Sequence, residues 1–176
     1  AGGIAPNVVQ ANAKVRSLIR ARNLPELNRL IERVKKIAEG AALMTGCRLE
    51  FTMPEPANSD MITNRAIARR LKRHLDEVGL RQPEAKAEPP SGSTDWGNVS
   101  YVVPSVETSY PILDRVCTWH SPDVVEASVS EMGFANTLLV AKALALTGVD
   151  LVADPALLAE VKAEFAAAKA KRESAS

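Results

Sequence analysis

Two periods run through the hydrophobic pattern of the chain. From Leu24 to Ala41 the apolar side chains fall at helical spacing: Leu24, Leu27, Leu30, Ile31, Val34, Ile37, Ala38 and Ala41. Arg29, Glu32, Arg33, Lys35, Lys36 and Glu39 occupy the other side, which predicts an amphipathic helix. Asn23 with Glu26 three residues on is a capping-box-like start, and Gly46 a stop. On either side of this helix the period is two. Residues 1–22 read as extended, with a Gly2-Gly3 turn, Pro6-Asn7 before Val8-Val9, and a strand over 13–19 with Val15 and Ile19 on one side. Cys47, Leu49 and Phe51 alternate with Arg48, Glu50 and Thr52, a half-buried strand stopped by Pro54 and Pro56. The order strand, strand, helix, strand over 1–53 is most of a split β-α-β sandwich, short of a helix and at least one strand at its front.

Beyond the prolines the pattern changes. Met61, Ile62, Ile67, Leu71, Leu75 and Val78 mark the buried side of a helix over about 60–78, with Gly79 past its end. A Pro-, Glu-, Lys- and Ser-rich loop over 81–93 follows. Val99–Val106 is β-branched and predicts a buried strand. Residues 107–130 read as mixed loop and short strand. A helix over about 131–152 is apolar nearly all round (Phe134, Leu138, Leu139, Val140, Leu144, Leu146, Val149), which predicts burial between two layers. Asp154-Pro155 starts a last helix with Leu157, Leu158, Val161 and Phe165 inward, and 166–176 reads as a fraying polar tail. The expected fold class is α/β, with a domain boundary near 54–58 that leaves units of 1–55 and 56–176. No internal repeat is evident.

Composition narrows the function classes. The 176 residues carry 22 Lys and Arg against 21 Asp and Glu, so no global charge favours nucleic acid. No uncharged apolar run reaches membrane-spanning length, and no basic-then-apolar leader opens the chain. The start at Ala1 within structured-looking sequence leads us to expect a processed or truncated chain. Cys47 and Cys117 lack metal or redox spacing and are expected to be buried small hydrophobes in a reducing cytoplasm. Only two histidines, His74 and His120, are present, so this chain cannot supply a three-histidine metal site.

Four constellations could carry chemistry. Asn7 and Arg20 are a loop amide and a strand-end guanidinium, a pair suited to a substrate carboxylate; the residues alone favour the plainer reading of a turn and a solvated charge. Ser91–Ser100 is a small-residue loop able to approach a ligand closely, with Asp95 as a supporting carboxylate, or a capped turn before a strand. Thr118-Trp119-His120-Ser121-Pro122 places an imidazole in a loop, where it suits a metal ligand, an acid–base or a structural role. Arg65, Arg69, Arg70, Lys72 and Arg73 form a basic helical face, read as solvated, with His74 within it and inert.

Taken in order, these motifs resemble the zinc-dependent amidohydrolases of the aminoacylase and glutamate-carboxypeptidase family, nearest to its aminobenzoyl-glutamate hydrolase and dipeptidase branch. The carrying residues are Gly2–Val9, Ile19-Arg20-Ala21, Ala41–Cys47, Gly92–Ser100, His120-Ser121-Pro122 and Ala141–Thr147. The resemblance implies a catalytic α/β domain that holds two divalent metal ions, zinc first and manganese or cobalt as alternatives. It also implies an inserted ferredoxin-like lid that mediates homodimerisation. Positions 1–55 match the second half of the lid and 56–176 the C-terminal part of the catalytic domain. Asn7 and Arg20 match substrate-contacting positions, Gly92, Ser93, Thr94 and Asp95 a pocket-lining loop, and His120 a metal ligand. The family's other ligands and its general base have no counterpart here, and Glu107 stands where some relatives have a histidine.

The expectation is therefore the C-terminal portion of a cytoplasmic di-metal amidohydrolase. Its substrate would be an N-acyl amino acid, a dipeptide or an aminobenzoyl-glutamate-like compound. The chain alone would be inactive, without bound metal, and in need of the N-terminal half of the enzyme. The alternatives are a truncated, non-catalytic homologue that serves as a dimerising or binding module, and a proteolytic remnant. Neither nucleic acid nor membrane is expected as a partner.

Overall fold

A computed structural model describes residues 3, 5, 7–80 and 92–173. Gly2, Ile4, Pro6, most of the predicted 81–93 loop, and the last three residues of the predicted tail lie outside the described residues. The chain divides into two compact units, Ala1–Pro56 and Ala57–Ser176.

The first unit is built on α1, Leu24–Thr45. Its start follows the capping chemistry of the sequence: the Asn23 side chain accepts from the Glu26 N–H at 2.9 Å, and Pro25 occupies the first turn. Its end needs a left-handed residue. Gly46 supplies it at φ 69°, which lets the Cys47 N–H donate back to the Ala42 carbonyl at 2.9 Å. Most of the predicted apolar stripe is half-buried, Ile37 and Ala41 are exposed, and no residue of α1 is fully buried.

The second unit holds α2 (Arg65–Glu77), α3 (Trp96–Ser100), α4 (Pro122–Ser128), α5 (Glu131–Ala153) and α6 (Pro155–Glu173). Its core lies where α2, α5 and α6 meet. Leu71, Leu75 and Leu80 pack on Val140 and Ala143, while Ala66 and Ile67 pack on Leu157 and Val161; Val106 touches both groups. Each large aliphatic side chain among them contributes about 1.5–3 kcal/mol of burial. The start of α2 is satisfied from two directions. Asn64 Oδ1 accepts from the Ile67 N–H at 3.1 Å, and Asn64 Nδ2 donates to the Val161 carbonyl at 2.9 Å. The Glu164 carboxylate, on α6, accepts from the Arg65 and Ala66 N–H groups at 2.8 and 2.9 Å. The free amides of one helix are thus capped by another.

Several expectations change. The described residues are mostly helical and contain no strand; the β content is one isolated parallel bridge, Thr63 with Ser105. Residues 13–19 and 47–52 are neither helix nor strand: a strand requires a neighbouring segment to share its N–H and C=O groups in a ladder, and no ladder forms along them among the described residues. Val99 and Ser100 are helical, and Tyr101–Val103 form the turn that follows. The 60–78 helix starts at Arg65, since Asn64 is its cap. The last helix continues through 166–173, because Ala, Lys and Glu are strong helix formers and the segment carries no breaker.

Nor is α5 covered on both sides. Gly133, Val140, Ala143 and Thr147 are buried, whereas Phe134 is 61% exposed and Leu138 64%. Its described neighbours α2, α4 and α6 take up only the stripe through those four residues. By length and composition α5 is the one described helix able to cross a membrane. Its Asp150 is ion-paired to Arg70 and hydrogen-bonded to His74 of α2, the arrangement of a packing helix. Cys47 is exposed and Cys117 half-buried, so neither is the buried hydrophobe expected.

Candidate functional site

In the first unit, Asn7 sits exposed in a turn and Arg20 is exposed in a stretch without regular secondary structure.

The Gly92–Asp95 loop belongs to the second unit. Gly92, Ser93 and Asp95 are exposed and Thr94 is half-buried. Thr94 Oγ1 accepts from the Trp96 N–H at 3.2 Å, and the Asp95 carbonyl accepts from the Asn98 N–H at 2.9 Å. What holds the loop is the short helix after it. Asn98 Oδ1 accepts from the Ser59 N–H at 2.6 Å, while its Nδ2 donates to the Ala57 carbonyl at 3.2 Å. Ser100 Oγ accepts from the Ile62 N–H at 2.9 Å and donates to the Gly97 carbonyl at 2.6 Å. Trp96 Nε1 donates to the Val106 carbonyl at 3.1 Å. Gly97 is pressed so closely on Ser59 that a Cβ there would stand 2.0 Å from the Ser59 oxygen. The second half of the motif therefore anchors the loop, and the first half presents it.

Tyr101 continues this anchor: its hydroxyl donates to Asp60 Oδ1 at 2.7 Å, and Asp60 is ion-paired with Arg172. Burial first, then the bond to Asp60, pushes the Tyr101 phenol up to about 12, because both disfavour the phenolate.

His120 lies at the lip of an open concavity of about 730 Å³, lined by Trp119, His120, Ser121, Pro122, Val124, Val125 and Glu126. It is the one non-glycine residue with a positive φ, 62°, among the described residues. A side chain in that region costs of order 1 kcal/mol, and such strain concentrates at functional positions. The conformation leaves the imidazole exposed just ahead of α4. Ser121 Oγ beside it is sealed from solvent and has no hydrogen-bond partner among the described residues.

Does this arrangement hold a metal? Among the described residues no three His, Cys, Asp or Glu side chains converge on a point where an ion could sit. One exposed imidazole is not a centre, so these residues do not fit a metal on their own.

The basic cluster of α2 is largely occupied internally. Arg69 pairs with Glu160 at 2.6 Å, Arg70 with Asp150 at 3.2 Å and Asp154 at 3.4 Å, Lys72 with Asp76 at 2.7 Å, and Arg73 with Glu77 at 2.8 Å. His74, expected to be inert in a solvated face, is instead buried. Its Nε2 lies 2.7 Å from Asp150 Oδ2 and its Nδ1 2.9 Å from Glu77 Oε2. The bond from His74, then the Arg70 charge, holds the Asp150 carboxyl below its ordinary value. Arg73 first, then His74, does the same for Glu77. This tie between α2 and α5 was hidden from sequence reading because its members lie 76 positions apart. Trp119 and Glu126 were also missed as wall residues of the concavity, although Trp119 adjoins the His120 motif.

Similar proteins extend the picture. The Xaa-Arg dipeptidases of Mus musculus and Homo sapiens are 32% and 29% identical to this chain over 166 residues. That is 93% of the chain but 38% of each relative. One of the subunits of the p-aminobenzoyl-glutamate hydrolase of Escherichia coli (strain K12) is 29% identical over 217 positions, which cover 93% of the chain and 45% of that protein. The chain thus spans less than half the length of these curated relatives. No family profile matches it.

Proposed function

We propose, for a chain that belongs to the amidohydrolase and peptidase family of these relatives, that it is the C-terminal portion of an enzyme that cleaves the amide bond of an N-acyl amino acid, a dipeptide or an aminobenzoyl-glutamate-like compound. The observation that carries this reading is the similarity itself, which extends over 93% of the chain to two kinds of amide-cleaving protein. In this reading residues 1–55 are part of a ferredoxin-like lid through which the enzyme dimerises, and 56–176 part of the catalytic domain. The Arg20 guanidinium takes the substrate carboxylate in a bidentate grip and the Asn7 amide adds a donor. Gly92, Ser93, Thr94 and Asp95 line the substrate pocket, held out by the Asn98 and Ser100 bonds beneath them.

His120 supplies one ligand of a centre of two divalent ions, zinc first, whose other ligands lie outside the described residues. When bound, such ions supply Lewis-acid activation of the amide and of water. The strained backbone at His120 favours this role, since it directs an imidazole outward at a cost the fold must offset. The enzyme is cytoplasmic, and the chain alone is inactive. A second reading, a non-catalytic module that pairs with another chain, is favoured by segments 13–19 and 47–52, whose period-two pattern forms no sheet ladder among the described residues.

The test is a panel of N-acyl amino acids and Xaa-Arg dipeptides, offered with added zinc or manganese to the 176-residue chain and to the longest polypeptide its gene encodes. The longer product is expected to hydrolyse members of the panel, with KM raised at least tenfold by Arg20→Ala and bound metal reduced by His120→Ala. Robust turnover by the 176-residue chain alone would overturn its predicted inactivity. No turnover by any product would overturn the enzymatic reading in favour of the module.

A further inference from the structure

We infer that the exposed side of α5 is the surface by which this chain docks onto the rest of a longer polypeptide, which covers it with an uncharged, apolar face of its own. The surface presupposes the longer enzyme proposed above and adds the place where its two parts join.

A helix that is apolar nearly all round, as α5 is, belongs between two layers. One layer is present: α2, α4 and α6 cover the stripe through Gly133, Val140, Ala143 and Thr147. On the other side Val149 is 61% exposed and Val152 88%, in line with the exposed Phe134 and Leu138. From Phe134 to Val152 this band runs about 27 Å along the helix axis. It is also broad. The exposed Leu144 and Leu146 mark its edges, about 200° apart around the helix. Lys142 is the one charged residue between Phe134 and Val149. Ala141, Ala145 and Gly148, all exposed, keep the middle of the band shallow, so a facing surface can approach closely.

These dimensions and this chemistry select the occupant. A second copy that pairs helix to helix covers a seam of about two positions in seven, far narrower than the band. A membrane fits poorly, because Asp150 of the same helix is held by Arg70 and His74 in the packed layer. A transient protein partner meets a surface about as polar as the rest of the protein, whereas a band this free of charge resembles a domain core cut in half. The other half of that core has a source. The similarity to the mouse dipeptidase covers 93% of this chain but 38% of that protein, and for the bacterial hydrolase subunit 93% and 45%.

Cysteine labelling reads the cover directly. Leu138→Cys and Val149→Cys are placed, one at a time, in the 176-residue chain and in the longest polypeptide its gene encodes. Each is treated with a maleimide in dilute solution, and modification is read peptide by peptide so that Cys47 and Cys117 do not interfere. The expected result is rapid labelling in the 176-residue chain and labelling at least about tenfold slower in the longer product. A charge at the same place gives a second readout. Val149→Lys should leave the urea midpoint of the 176-residue chain nearly unchanged and lower that of the longer product by more than about 1 M, because there it buries an unpaired ammonium. Rapid labelling of both products, or a midpoint equally insensitive in both, would overturn the docking surface. Slow labelling already in the 176-residue chain would overturn it too, since the cover would then come from a second copy or from within the same residues. So would a gene that encodes nothing longer. Hydrolysis separates this surface from the enzymatic reading. Slow labelling in a longer product that cleaves no amide keeps the surface and loses the function. Turnover by a longer product in which both cysteines still label rapidly keeps the function and loses the surface.

Discussion

Gly97→Ala and Gly148→Ala should move stability in opposite directions, although both replace a helical glycine. On propensity alone each should stabilise by up to about 1 kcal/mol. At Gly148 nothing lies within 4 Å of an added Cβ, so that gain is free to appear. At Gly97 the Cβ would stand 2.0 Å from the Ser59 oxygen and 2.9 Å from its carbonyl carbon. A normal carbon–oxygen contact needs about 3.3 Å, so one backbone must retreat by more than about 1 Å. The Ser59 segment cannot retreat freely, because the Asn98 bonds to Ser59 and Ala57 and the Ser100 bond to Ile62 fasten it to the same short helix. Overpacking costs about 1–3 kcal/mol and each strained buried bond about 1 kcal/mol. Net of propensity, Gly97→Ala should destabilise by about 2–4 kcal/mol. Urea denaturation followed by circular dichroism reads both variants, and a slope near about 2 kcal/mol/M would lower the Gly97→Ala midpoint by more than about 1 M. A Gly97→Ala midpoint at or above wild type would refute the close approach that positions the Gly92–Asp95 loop.

Three further outcomes follow from the same contacts. Glu164→Ala should destabilise by about 1–2 kcal/mol, as it strips the cap from the Arg65 and Ala66 amides, whereas Glu164→Gln should cost less; equal midpoints for wild type and Glu164→Ala would refute the inter-helix cap. Asp150 has its carboxyl held below its ordinary 3.8, so its contribution is complete above that pH and fades only as pH falls through the lower folded value. The urea-midpoint gap between wild type and Asp150→Asn should accordingly be full at about pH 7 and close in acid; a gap that grows as pH falls would contradict the tie to His74 and Arg70. Tyr101, raised to about 12 from an ordinary 10, favours the folded state below pH 10 and loses that contribution as pH rises through 12. Absorbance titration should show one phenol ionising near pH 12 that Tyr101→Phe removes, and ionisation of every tyrosine near pH 10 would count against the bond to Asp60.

Elements whose signals are local could be read directly along the chain. The Asn23 cap, the Gly46 stop and the Asp154-Pro155 start depend on side chains within three or four residues of the groups they satisfy, so spacing reveals them. The apolar positions of α2 were legible for the same reason. Period alone could not say whether residues 13–19, 47–52 and 99–106 are strands, because a strand exists only with a neighbour and β-branched residues also fit a short helix and turn. Nor could it say which side of α5 is covered, since a helix apolar all round carries no preference of its own. Three features emerge only on packing: Glu164 caps α2 from another helix, His74 is buried between Asp150 and Glu77, and Trp119 and Glu126 line the same concavity as a left-handed His120. The physical reason is common to all three. The partner that fixes the group's free energy is distant in sequence or set by backbone geometry, and packing is what brings it within reach.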